Sequence, residues 1–173
     1  MKEPKDYYEA ARERLDQARF LFDVPQEDAE RALHDKRYAL VVYAAGVAVE
    51  AMLRAYRLKI DDAFDGRHNI EALFTASGLE DRLLEHLEGQ GVDPAVVADR
   101  LRELRAAVSS VAAIWRNAHR YASDRALVKD LIERKMIARS QNKGDKAALL
   151  RAQARVLVQA ATIVIDAGEE AWN

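Results

Sequence analysis

Residues 39–50 read ALVVYAAGVAVE, and whether this run is a strand or a helix decides the fold. Four valines in it suit a buried strand. Its unbroken length and its continuation as AMLRA, residues 51–55, go beyond a strand and favour a helix. The expected helix covers about Lys36 to Leu58. It is apolar on nearly every side, so it belongs at the centre of the protein, covered by its neighbours.

The flanking sequence supplies those neighbours. Before it, Tyr8, Ala11, Leu15, Ala18 and Leu21 or Phe22 recur at helical spacing and predict a helix over Lys5–Phe22. Pro25 then breaks the chain or opens a short turn. After it, DDAFDGRHNIEALF (61–74) reads as a loop and a helix start capped by His68 or Asn69, with Glu71 three residues beyond His68. GLEDRLLEHLEGQG (78–91) is a short amphipathic helix closed by Gly89 or Gly91. A long helix is expected from Pro94 to about Tyr121, followed by one capped by Ser123 or Asp124. SQNKGD (140–145) is a polar loop, and Asp145 is placed to cap a last helix reaching about Trp172. No internal repeat or second domain is visible, so residues 1–173 read as one all-α, up-and-down helical bundle.

Composition agrees. Half of the 173 residues are hydrophobic and 32% are charged, with seven Gly and three Pro, the usage of a helical protein with a sizeable core. The absence of cysteine excludes disulfides and thiolate zinc sites. The N-terminal MKEPKDYYEA has no apolar core of a secretory signal, and the longest apolar run, Tyr38–Val49, is too short for a bilayer. A cytoplasmic protein with no membrane partner is expected. A net charge of −2 means that any nucleic-acid contact must come from a local patch.

One such patch is present. AAIWRNAHRYAS (112–123) gathers Trp115, Arg116, Asn117, His119, Arg120 and Tyr121 in a chain otherwise dominated by Ala, Leu, Val, Arg and Glu. On a continuous α-helix, Arg116, His119 and Arg120 fall within an arc of about 100°. Two guanidinium groups can hold a phosphate, and an imidazole beside them can take a proton near neutral pH. These are components of metal-independent RNA cleavage, with the His as base on a 2′-hydroxyl and an Arg stabilising the phosphorane. The alternative is structural: the arginines pair with carboxylates on a neighbouring helix while Trp115 and Tyr121 pack in the core.

Glu50 ends the apolar run on a face expected to be buried, so it needs a partner. Arg54, one turn on, is the local choice. Arg116 or Arg120, reached across the bundle where Gly46 permits close approach, is the expected one. His34 and His86 read as solvated. His68 reads as a helix cap, with a phosphate-facing imidazole as its alternative. No metal-ligand spacing, phosphate loop or dinucleotide fingerprint is present, so neither metal nor cofactor is expected.

DYYEAARERLDQARFL (6–21), RYALVVYAAGVAVEAMLRAY (37–56), FDGRHNIEAL (64–73) and WRNAHRY (115–121), in this order, resemble a HEPN domain over about the first 125 residues. The resemblance implies a small helical bundle, often dimeric. Many members are metal-independent ribonucleases of toxin–antitoxin, CRISPR and phage-defence systems; others are non-catalytic and accompany a nucleotidyltransferase. The family's nuclease motif is an Arg, usually followed by a polar residue, with four to six residues before a His. Arg116 and Asn117 match its start, whereas His119 follows after two intervening residues.

Two functions follow. In the first, the protein is a homodimeric ribonuclease or toxin, with a cognate antitoxin as a partner, in which Arg116, Asn117 and His119 are catalytic. Arg120 and Tyr121 would bind RNA, and Glu50 and Trp115 would support the site. In the second, it is a non-catalytic module that binds a nucleotide or a nucleotidyltransferase partner.

Overall fold

The computed structural model describes residues 3–23, 37–61, 68–137 and 146–172, which form seven α-helices and one 3-10 turn, with no strand among the described residues. The helices are α1 (Pro4–Asp23), α2 (Arg37–Ile60), α3 (Ile70–Ser77), α4 (Leu79–Gly89), α5 (Pro94–Ile114), α6 (Asp124–Glu133) and α7 (Lys146–Glu170). The 3-10 turn, Asn117–Tyr121, lies between α5 and α6. The valine-rich run is therefore helix. Val41, Val42, Ala45, Ala48, Val49, Met52, Leu53 and Tyr56 of α2 are all fully buried, because α1, α3, α7 and the 3-10 turn pack around it. α7 in turn packs on α5, and the all-α bundle expected from the sequence is what forms.

Local chemistry sets several helix ends. The Asn69 side chain, rather than His68, accepts from the Ala72 N–H at 2.9 Å to cap α3. Gly78 joins α3 to α4 in the left-handed region at φ 63°, where a Cβ would be strained. Pro94 occupies the first turn of α5 while Asp93 accepts from the Ala95 N–H at 2.8 Å. Ser123 caps α6 through the Ala126 N–H. Asp124 faces the other way and accepts from Ala39 N–H at 2.8 Å, so a residue of α6 caps the start of α2. The expectations for Pro25, His34 and Asp145 fall outside the described residues.

Two further expectations change. Tyr38–Ile60 and Ala147–Glu170 each have the length and mean hydropathy of a membrane-crossing helix, although the run Tyr38–Val49 alone is too short. Core helices meet the same criterion, since covering an all-round apolar surface with protein requires that surface to be apolar. The second change matters more for function: α5 stops at Ile114 instead of running on to Tyr121.

Candidate functional site

Trp115 is what breaks α5. Its N–H still bonds to the Val111 carbonyl at 2.8 Å, but its backbone is extended (φ −80°, ψ 144°), as is that of Arg116 (φ −143°, ψ 146°). This turns the indole inward against Gly46 of α2, where it is buried. Helix termination leaves carbonyls without intrahelical partners. Arg134, just beyond α6, donates to the Ala113 and Ile114 carbonyls, the latter at 2.8 Å. Packing of one side chain and capping by one guanidinium thus replace the helical turns predicted for residues 115–121.

The break changes what the polar cluster can do. The sequence pattern places Arg116, His119 and Arg120 on one face of an α-helix, but the helix ends at Ile114 and they share no such face. His119 is only 4% exposed. Its Nδ1 accepts from the Arg116 N–H at 3.2 Å, so the neutral ring carries its proton on Nε2 and donates to Asp130 at 3.0 Å. Both ring nitrogens are engaged. Burial pushes the His119 pKa down, and the nearby Arg134 and Arg116 charges add to this against the opposing hydrogen bond and charge of Asp130. Burial would raise the Asp130 carboxyl, but hydrogen bonds from His119 and Arg134, with the Arg134 charge, hold it below its ordinary value. Arg134 Nε meets Asp130 at 2.8 Å, and Arg116 approaches it more loosely at 3.4 Å with its side chain 55% exposed. The His119–Asp130–Arg134 group ties the 3-10 turn to α6 and to the end of α5.

Glu50 is buried, at 8% exposure, as expected, but its partners differ from the expected Arg116 or Arg120. Arg54 Nε donates to it at 2.8 Å, and His68 Nδ1 stands 3.0 and 3.1 Å from its two oxygens. The reason is the path of the chain. His68, immediately before the Asn69 cap, is held over α2 by the start of α3, while Arg116 turns toward α6. The His68 ring also meets the Trp115 indole edge to face, with centroids 6.4 Å apart. The family-like segment FDGRHNIEAL marked His68 as a helix start; its carboxylate partner, 18 residues earlier, has no local signal.

Two adjoining clefts open here. One, of about 550 Å³, is lined by His68, Ser109, Trp115, Arg116 and Asn117 among others. The other, of about 460 Å³, is lined by Tyr7, Tyr43, Glu50, His68, Asn117 and Arg120 among others. Both are in the size range of small-molecule sites. His68 and Asn117 border both. Arg120 is exposed and makes no ion pair among the described residues; its guanidinium lies 5.4 Å from the centroid of the Tyr121 ring. Tyr121 is 84% exposed, not packed in the core. The structure thus brings Arg116, Asn117 and Arg120 to one open region, with Glu50 and Trp115 beneath it, and sets His119 apart in the protein. Among the described residues, no cluster of three His, Asp or Glu side chains is placed to hold a metal ion.

The family profile described as HEPN domain matches residues 4–134. No curated protein and no solved structure matches the chain.

Proposed function

Because the chain belongs to the HEPN domain family, we propose that it acts on RNA, as a metal-independent endoribonuclease in a toxin–antitoxin or defence role. The observation that carries this reading is the pair of clefts meeting at His68 and Asn117, with Arg116 and Arg120 at their rims. Arg120, with no ion pair among the described residues, can take a phosphate without first giving up a carboxylate. Arg116 is exposed and held to Asp130 only at 3.4 Å, so it too can turn to a phosphate. The Asn117 amide can hydrogen-bond a base or ribose, and Tyr121 offers an exposed ring for base stacking. Cytoplasmic action, a homodimer and a cognate antitoxin belong to the same reading.

A second reading, a non-catalytic module that binds a nucleotide or accompanies a nucleotidyltransferase, is favoured by one observation. The histidine nearest the family motif, His119, has both ring nitrogens occupied inside the protein. Incubation of the purified protein with single-stranded and transfer RNA in EDTA separates the two. Cleavage leaving 2′,3′-cyclic phosphate ends is the expected result. Intact RNA, with the protein free of any inhibitor, would overturn the nuclease and leave the binding module.

A further inference from the structure

Resting on the ribonuclease reading, we infer that His68, oriented by Glu50, is the general base of this site in place of His119. A carboxylate only accepts hydrogen bonds, and both Glu50 oxygens face His68 Nδ1 at 3.0–3.1 Å. Nδ1 therefore carries the proton of the neutral ring, and Nε2 keeps its lone pair. Nε2 has no hydrogen-bond partner among the described residues. The side chain is 51% exposed and borders both clefts, where a ligand can meet the ring. Arg54 holds Glu50 from the side, and the Trp115 indole packs edge to face with the His68 ring.

The two histidines thus have opposite settings. His119 Nδ1 accepts from backbone and its Nε2 proton is committed to Asp130, whereas His68 has its proton anchored and its basic nitrogen without a partner among the described residues. Arg120 and Asn117 line the same cleft as His68, which brings phosphate-binding groups beside a base. The step balances as follows. His68 Nε2 takes the proton of a ribose 2′-hydroxyl, and the oxygen forms a bond to the adjacent phosphorus. The bond from phosphorus to the 5′-oxygen breaks with its electron pair, the departing oxygen takes a proton from water, and the hydroxide so formed takes the proton from His68 Nε2, which restores the neutral ring. The products are a 2′,3′-cyclic phosphate and a 5′-hydroxyl. Arg120 stabilises the charge on the phosphorane oxygens. Glu50 touches no substrate; it is a positioning residue that fixes the tautomer and supports the imidazolium as it forms.

Single-turnover and steady-state cleavage of an oligoribonucleotide by the full chain test this. His68→Ala is expected to lower kcat by about 10²–10⁴-fold, as loss of a general base does, in a protein that still melts cooperatively although it loses one partner of Glu50. Because the ring is half exposed, added imidazole should restore part of the rate in proportion to its concentration. Glu50→Gln should lower kcat while KM holds, and Glu50→Asp, which keeps the charge, should retain more of the rate and guards against misfolding of the first variant. Wild-type cleavage with an equally active His68→Ala overturns the base and leaves the ribonuclease reading standing. Cleavage lost in His68→Ala that imidazole does not restore overturns the base as well, since it marks a binding or structural ring. A wild type that cuts no RNA overturns both readings together.

Discussion

The Trp115 indole occupies the space in which a side chain at residue 46 would stand. Gly46 lies on α2 and Trp115 at the broken end of α5, so this contact sets how closely the segment carrying Arg116, Asn117 and Arg120 approaches the helix carrying Glu50. The glycine is required here for space, within an ordinary helical stretch.

Gly46→Ala gains helix propensity, which by itself stabilises by roughly 1 kcal/mol. The clash with the buried indole outweighs that gain. Overpacking of a filled core costs about 1–3 kcal/mol, and more where the obstacle is a rigid ring. Net destabilisation in urea is expected, with a change in Trp115 fluorescence as the indole is displaced. A variant as stable as wild type, with unaltered emission, would show that the indole has room to move.

His119 gives the protein a pH dependence of known sign. In the unfolded chain it titrates at its ordinary value of 6.5, and in the fold its pKa is lower, chiefly through burial. The unfolded state therefore binds the proton first as pH falls. Stability from this residue is full above about 6.5 and declines below it, down to the folded pKa. Urea midpoints measured from pH 8 to pH 5 should fall across that window, and His119→Gln should lose most of the slope. Asp130 acts in more acid solution, below its ordinary 3.8, because its folded pKa is depressed.

Arg120→Ala should leave the melting temperature within the small range of a surface substitution, since no ion pair among the described residues is removed. RNA affinity should fall, and the slope of log affinity against log salt should decrease by about 1, the signature of one lost phosphate contact. Titrations at several salt concentrations check both. An unchanged salt slope would place Arg120 outside the RNA path.

One cleft region offers few groups for phosphoryl transfer, and the family resemblance brings a dimer. Sedimentation at micromolar concentration should therefore give a homodimer. A cross-link between Cys residues introduced at Tyr121 of the two copies is expected if the clefts lie near one another. A monomer throughout that range would count decisively against the arrangement.

What the sequence determined by itself was the set of helices whose stability is local or face-wide. The apolar surface of α2 demands burial on all sides, and Asn69, Pro94 and Ser123 mark helix ends through their own backbone and side-chain chemistry. The polar segment 115–121 was visible as a composition shift, but its conformation was not. Neither Gly nor Pro occurs between Pro94 and Gly144, so nothing local halts α5 before Tyr121. The halt comes from Gly46, which admits the Trp115 ring, and from Arg134, which caps the open carbonyls. The same tertiary packing buried His119 against Asp130 and gave Glu50 to His68 instead of to Arg116 or Arg120. Helical periodicity records which residues share a face only while the helix continues; partners across a bundle are fixed by where its helices stop.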